Sequence, residues 1–174
     1  MALTYRAIAT YTVDSAGAAS IDFTVIPQTY TDLAVMTSIR GNQDNGIIYY
    51  LRFNGDSGTN YSNRYILKDS SDPTPQTAND TSQNKMFLGI VGGATPTAST
   101  FSNDLIYIPN YTSSNNKSLS FDGAMENNST TQWMSLTAGI WSNSAPITSI
   151  SIFPNTNVWI QHSTATLYGI KNTV

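Results

Sequence analysis

Apolar and polar residues alternate along most of this chain, which is the pattern of β-strands that bury one face. Between positions 3 and 13, for example, the odd-numbered residues are apolar or aromatic, and most of the even-numbered residues are threonine or arginine. No segment carries the 3.6-residue stripe of apolar side chains, bounded by caps, that predicts a helix. The alternation predicts strands over residues 3–13, 21–25, 33–39, 47–53, 64–68, 85–91, 101–107, 117–121, 133–141, 147–153, 158–161 and 164–170.

Short strands at fairly regular spacing predict an all-β chain, folded as an antiparallel β-sandwich of the jelly-roll type. The 174 residues fit a single domain over 1–174, and a domain of this length buries roughly 70% of the surface of its unfolded chain. Two polar segments interrupt the alternation. Segment 69–84 has no apolar residue larger than Ala78, and segment 92–99 is rich in glycine, threonine and proline. We expect both to be long surface loops.

A tight turn is predicted between the strands 33–39 and 47–53. The polar segment that separates them ends in Asp44-Asn45-Gly46, and Asn-Gly readily adopts the positive φ angles that a hairpin turn requires. We therefore expect these two strands to pair as neighbours in one sheet.

The strand 47–53 is apolar on both faces over its first half. Its odd-numbered residues are all apolar or aromatic, and Ile48 and Tyr50 extend this character to the opposite face. A strand with two apolar faces is either central in the core or covered by another subunit. Ile48 and Tyr50 are therefore candidate residues of a protein interface.

The segment 133–141 has two faces of different character. Even-numbered residues from Met134 to Ile140 fill one face with aliphatic side chains, whereas Trp133 and Trp141 flank small residues on the other. We interpret the even-numbered face as core and the face of the two tryptophans as a contact surface. This interpretation adds Trp133 and Trp141 to the candidate interface.

Charged residues are scarce, since Lys+Arg 8 and Asp+Glu 11 make up 11% of the chain, where about 25% is usual. Serine, threonine, asparagine and glutamine solvate the surface instead, and such a surface packs against a neighbouring copy without charge repulsion. The basic residues are scattered, so we expect no nucleic-acid partner. Neither a signal-peptide pattern nor an apolar segment long enough to span a bilayer is present, so we expect no membrane partner and a soluble chain.

Catalytic chemistry finds little support in the sequence. The chain has no cysteine and a single histidine, His162, which a Ser-His-Asp arrangement would have to use without any nucleophile-elbow motif. Most acidic residues lie beside glycine, asparagine or serine, as turn residues do, and Glu126 is the single glutamate. We expect no enzyme activity and no cofactor, and we keep a hydrolase that uses Asp56 or Glu126 as a minor alternative.

The segment Asn54-Gly55-Asp56-Ser57-Gly58-Thr59-Asn60 has the one pattern that resembles a metal site. Side-chain oxygens recur at alternate positions, as in calcium loops, and Asn54, Asp56 and Asn60 would be the ligands. The closing bidentate glutamate of such loops is missing. We favour a structural turn, in which Gly55 and Gly58 adopt positive φ and Asp56 accepts bonds from nearby amides.

Five short segments follow one another from about the second strand to the end of the chain: IPQTYTDL (26–33), RFNGDSGTNYS (52–62), IPNY (108–111), ITSISIF (147–153) and TLYGI (166–170). In this order they resemble a family of small structural proteins of tailed bacteriophages. Where the family pattern has a Gly-Ser turn before the last strand, this chain has His162-Ser163, so its closing turn differs.

The resemblance implies a virion component without catalytic residues. We hypothesise a capsid decoration or cement protein on the virion surface, made soluble in the host cytoplasm, that forms a homotrimer and binds the major capsid protein and other virion proteins. A long fibre would need a repetitive shaft, and the sequence has none. The alternative is a tail-fibre or receptor-binding module of the tail that binds host glycan through its loops and aromatic rings.

Overall fold

The computed structural model describes residues 4–128 and 132–171. These residues form twelve β-strands without any helix, as the alternation predicts. Among them, no helix is long and apolar enough to cross a membrane. The strands are β1 (Tyr5–Thr12), β2 (Ile21–Phe23), β3 (Asp32–Ile39), β4 (Gly46–Phe53), β5 (Tyr61–Asp69), β6 (Gln76–Gln83), β7 (Met86–Gly92), β8 (Ser102–Ile108), β9 (Lys117–Met125), β10 (Trp133–Trp141), β11 (Ile150–Pro154) and β12 (Thr164–Ile170).

The strands form two antiparallel sheets that pack face to face. The larger sheet has eight strands in the order β1-β12-β3-β8-β9-β10-β5-β6, and the smaller has four in the order β2-β11-β4-β7. Pairs β1–β12, β2–β11, β3–β8 and β4–β7 are nested along the chain, which is the strand order of a jelly roll. Strands β9, β10, β5 and β6 extend the larger sheet beyond β8. The predicted β-sandwich of jelly-roll type is thus confirmed.

The hydrophobic core lies between the two sheets. Strand β4 buries its odd-numbered residues, as the sequence predicts, and β11, β9 and β12 alternate in the same way. Tyr49 is at the centre, with edge-to-face ring contacts to Phe121 at 5.5 Å and Trp159 at 5.9 Å. The largest fully buried side chains are Trp141, Trp159, Tyr49, Tyr61, Tyr111 and Phe53.

The predicted hairpin between the strands 33–39 and 47–53 is wrong. Strand β3 belongs to the larger sheet and β4 to the smaller one. Asn45 does adopt the predicted left-handed conformation (φ 61). The turn at residues 43–45, however, is hydrogen-bonded to the loop after β7, since Ala94 N donates to Gln43 O at 2.6 Å. The chain is thereby directed across the sandwich instead of back along β3.

The polar segment 69–84 is a strand over half its length, which corrects the expectation of a loop. Strand β6 (Gln76–Gln83) pairs with β5 at the edge of the larger sheet. Most of its side chains are exposed on both faces, so it has no apolar alternation by which the sequence could reveal it.

Of the second expected loop, 92–99, residue Gly92 ends β7, and residues 93–99 lie outside the strands, where one arginine holds them. The buried Arg40 guanidinium donates to the carbonyl oxygens of Ala94, Pro96, Thr97 and Thr100 at 2.7–3.1 Å. Desolvation by burial lowers the pKa of Arg40. The loop thus uses its own carbonyl groups to solvate a charge inside the protein.

Smaller differences concern the ends of strands. Val25 leaves β2 with φ 54 and is 89% exposed. Residues 158–161 form no strand, because Trp159 makes only isolated bridges to Ala18 and Gly41. Leu3, the expected start of the first strand, lies outside the described residues.

One carboxyl group lies inside the core. Asp104 on β8 accepts a hydrogen bond at Oδ2 from Thr37 Oγ1 at 2.8 Å, whereas Oδ1 has no partner. Burial raises the pKa of Asp104 to about 7, although the hydrogen bond from Thr37 opposes this shift. The neutral acid is therefore the form that the fold favours.

We expect the stability of the protein to fall as the pH rises from about 4 through about 7, because the folded-state pKa lies above the unfolded value of 3.8. A shift of this size corresponds to at most about 4 kcal/mol. Asp104→Asn keeps an acceptor for Thr37 and should make the free energy of unfolding nearly independent of pH over this range. Urea denaturation across the range measures this. The exposed control Asp44→Asn should keep the wild-type dependence, and the same dependence in Asp104→Asn would contradict the assignment.

Candidate assembly surface

Exposed apolar side chains concentrate on the outer face of the eight-stranded sheet. Among the described residues, all the exposed large hydrophobic side chains except Val25 belong to strands of this sheet. Strand β10 presents Met134, Leu136 and Ile140, which are 65%, 55% and 45% exposed, and Ile66 beside them on β5 is 50% exposed. We call the outward side chains of β5, β10, β9 and β8 the assembly surface.

The strand register aligns several of these side chains in one row across the sheet. Ile66 pairs with Leu136, Leu136 with Asp122, Asp122 with Leu105, and Leu105 with Met36. A row that crosses five strands is thus apolar except for a single exposed carboxylate. Apolar surface of this kind on a soluble protein commonly marks an interaction site.

The inward face of β10 carries small residues because β7 lies directly against it. Thr137 Oγ1 donates to Leu88 O at 2.6 Å, and Ile90 N donates to Ser135 Oγ at 3.4 Å. A Cβ atom at Gly89 would lie 2.8 Å from both the Phe121 ring and Ser135 Oγ. Since no bulky side chain fits between the two strands where they touch, Met134, Leu136 and Ile140 are on the outward face, and the inward tryptophans lie at the two ends of β10.

The predicted roles of the two faces of β10 are therefore reversed. The aliphatic face predicted to be core is exposed, and Trp141, predicted at a contact surface, is 1% exposed. Its ring packs against Phe53 at 5.5 Å and Tyr61 at 6.4 Å. Trp133 also points inward and is half-buried. The run of small residues between the two tryptophans was the sequence signal of close sheet packing.

Ile48 and Tyr50 lie on the outer face of the smaller sheet and are half-buried. Tyr50 contacts the rings of Phe87 and Phe153, and Lys85 Nζ lies 3.8 Å from the centre of its ring. Contacts within the monomer therefore cover part of this face. Ile48 and Tyr50 remain candidate interface residues, but they are separate from the assembly surface.

The segment 54–60 forms a turn that is hydrogen-bonded to the core residue Trp141. Asp56 accepts hydrogen bonds from Gly58 N at 2.8 Å, Asn60 Nδ2 at 2.9 Å and Trp141 Nε1 at 2.7 Å. The side-chain hydrogen bonds from Asn60 and Trp141 are the main causes that lower the pKa of Asp56. Gly55 has the expected positive φ of 67, but the other left-handed residue is Asn54 and not Gly58.

The three suggested calcium ligands do not converge on one point. Asn54 Oδ1 faces away from the turn and accepts hydrogen bonds from the backbone of Thr148 and Ser149 at 2.8 and 3.1 Å. Asp56 and Asn60 bond to each other. The geometry thus supports the structural turn, and the described residues contain no group of three or more His, Asp or Glu side chains that could hold a metal ion.

The two candidate acids of a hydrolase lie at opposite ends of β10. Asp56 bonds to Trp141 at one end, whereas Glu126 Oε1 accepts from Asn128 N at 2.7 Å and Gln132 Nε2 at 3.3 Å, next to the other end. Nine residues of strand separate them by roughly 27 Å, which is too far for a shared catalytic step.

A surface cleft of about 390 Å³ lies where β3 ends and the turn before β12 begins. Its lining includes the ring of Phe101, the amide side chains of Asn42 and Gln161, and His162. His162 adopts a left-handed conformation (φ 73) in that turn. This combination of one ring with several hydrogen-bonding side chains was not visible in the sequence, because the loops that form the cleft are far apart along the chain.

The five segments singled out in the sequence analysis (26–33, 52–62, 108–111, 147–153 and 166–170) meet at one end of the sandwich. Ile26 N donates to Thr148 O, Ile147 N to Tyr111 O, and Thr31 N to Ile170 O, at 2.8–3.0 Å. Asn54 in the second segment bonds to residues of the fourth. These segments therefore hold one another in place and lie away from the apolar centre of the assembly surface.

Comparison with protein-family models, curated sequences and solved structures gives no match to this chain.

Gly89→Ala should destabilise the protein by about 1–3 kcal/mol, because the added methyl group is forced against Phe121 and Ser135. Chemical denaturation measures this difference. Ala138→Val, an enlargement on the outward face of the facing strand, is the matched control and should change stability by less than about 0.5 kcal/mol. Equal effects of the two substitutions would contradict the close packing of β7 on β10.

Asp56→Ala should cost about 1–2 kcal/mol of stability at neutral pH, because the Trp141 indole and two amides lose their acceptor. The pKa of Asp56 is lowered in the fold, so its contribution is present above about pH 4 and is lost as the pH falls further. Thermal unfolding at pH 7 and near pH 2 should show a smaller difference from wild type at the lower pH. A neighbouring control, Ser57→Ala, should be neutral at both.

Proposed function

We propose that this protein is a non-enzymatic structural protein of a tailed-bacteriophage particle, a capsid decoration or cement protein that binds the outer shell. The observation that carries this proposal is the assembly surface. One sheet face carries four apolar side chains that are each about half exposed or more: Met134, Leu136, Ile140 and Ile66. The free energy falls when another protein covers such side chains and removes them from water.

Further features of the molecule support an assembly role. The jelly-roll order of strands is common in viral capsid proteins, although it also occurs in lectins and cupins. The surface around the apolar row carries serine, such as Ser118 and Ser120, and few charges. Close packing on such a surface removes apolar area from water without burying many charged groups.

A bound decoration protein stabilises the shell by linkage. Contacts that exist only in the assembled particle lower the free energy of the assembled state relative to its dissociated subunits. In this proposal, the partners are the major capsid protein and other copies of the chain, on the virion surface.

A second candidate is a receptor-binding module of the phage tail that binds host glycan. The cleft of about 390 Å³ beside Phe101 favours it, because one aromatic ring with the nearby Asn42, Gln161 and His162 suits stacking and hydrogen bonding to a sugar. The two candidates place the protein at different ends of the particle.

Antibody labelling of intact particles separates the two candidates. We expect label on the head, and label on the tail would favour the receptor-binding module. Particles that lack the protein should release their DNA at a lower temperature, and added wild-type protein should restore stability. Leu136→Glu should fail to restore it, because the charge enters the apolar row. Thr10→Glu, exposed at the far edge of the same sheet, is the matched control and should restore it.

A further inference from the structure

The centre of the assembly surface is a rectangular array of outward side chains. Its members belong to three adjacent strands: Arg64 and Ile66 on β5, Ala138 and Leu136 on β10, and Ser120 and Asp122 on β9. Arg64, Ala138 and Ser120 form one row, and Ile66, Leu136 and Asp122 form the next. Strand spacing and residue rise give a rectangle of about 10 Å by about 7 Å between its corners.

Two opposite charges occupy opposite corners of this rectangle. Arg64 and Asp122 are both exposed, and the diagonal between them is about 12 Å from the same spacings. They are therefore too far apart to form an ion pair with each other. Each charge lies next to the apolar centre, where an approaching surface would meet it.

We propose that the partner on this surface is a second copy of the chain, related by a two-fold axis that runs in the interface along the diagonal from Ile66 to Ser120. For a rectangle of about 10 Å by about 7 Å, this axis brings each of the other two corners to within about 4 Å of the opposite one, a gap that an arginine side chain spans. Arg64 of each copy then faces Asp122 of the partner subunit, so one interface contains two ion pairs, as a two-fold symmetric contact requires.

The other simple two-fold axes of the rectangle leave the charges without partners. An axis parallel to the strands places Asp122 over Ile66, and an axis across the strands places Arg64 over Ile66. The remaining diagonal brings each charge against its own copy, which is repulsive. The diagonal from Ile66 to Ser120 is thus favoured, and it crosses the strands of the two copies at about 70°, nearer to the orthogonal than to the aligned geometry of sheet packing.

The same axis also fits the shape of the surface. It places Leu136 of one copy over a depression of about 380 Å³ whose lining includes Arg64, Ile66 and Ala138. Ile140 is placed over the neighbourhood of Leu105 and Tyr107 on β8. Apolar side chains therefore meet apolar side chains where the charges meet their opposites. The contact is two-fold, so it builds dimers and not the trimer expected from the sequence.

Charge reversal in a mixing experiment tests this proposal. Arg64→Asp gives a copy with two acids at the array and Asp122→Arg a copy with two bases. Each variant alone should dimerise at least about tenfold more weakly than wild type, because like charges face each other twice. An equimolar mixture of the two should form a heterodimer, and the double reversal in one chain should recover self-association. Sedimentation velocity, with one variant labelled, measures all four samples.

Both side chains are exposed, so unfolding temperatures close to wild type should accompany these results. The proposal is overturned if wild type stays monomeric at about 0.5 mM, if it forms a trimer that the reversals leave intact, or if the mixture of variants fails to associate. This inference shares the assembly surface with the proposed function. If antibody labels the heads but the chain is monomeric in solution, the dimer is rejected and the decoration role is not. If the chain dimerises but the heads stay unlabelled, the decoration role is rejected and the dimer is not.

Discussion

Strand β7, the edge of the smaller sheet, lies against the inner face of β10, and this contact sets the arrangement of both sheets. Side chains of the larger sheet satisfy backbone groups along this edge: Thr137 bonds to Leu88 O, Ser135 to Ile90 N, Asn63 to Phe87 N and Ser102 to Gly92 N. An open strand edge would otherwise leave these groups buried without partners or available for pairing with other chains. The contact closes one side of the sandwich and requires Gly89, where an added Cβ atom would lie 2.8 Å from Ser135 Oγ.

This closure determines which surface is apolar. Because the inner face of β10 accommodates only small side chains beside β7, its leucine, isoleucine and methionine residues face outward. The outer face of the larger sheet is then half apolar in the monomer, with Asp122 and Arg64 at fixed positions around Leu136. The close packing of β7 on β10 thus explains both the small inward residues of β10 and its apolar outward face. The proposed function rests on that outward face.

Polar side chains stabilise the turns of the protein through hydrogen bonds. Arg40 donates to carbonyl groups of the 92–99 loop. In the 54–60 turn, Asp56 accepts a hydrogen bond from Trp141, and Asn54 accepts one from Thr148. Several of these turns lie in the segments 26–33, 52–62 and 147–153, whose contacts with one another are structural. The proposed role therefore rests on the assembly surface.

Alternation along the chain was enough to predict the all-β class, the sandwich of jelly-roll type and the bounds of β10 and β12, because it records where strands with two unlike faces begin and end. It could not show β6, whose side chains are exposed on both faces, or the crossing from β3 to β4, because local turn chemistry does not specify a sheet. The burial of Trp141 and the exposure of Leu136 follow from the packing of the two sheets and not from the local sequence. Both faces of β10 carry apolar residues, and the choice depends on the closeness of β7, a strand more than forty residues away along the chain.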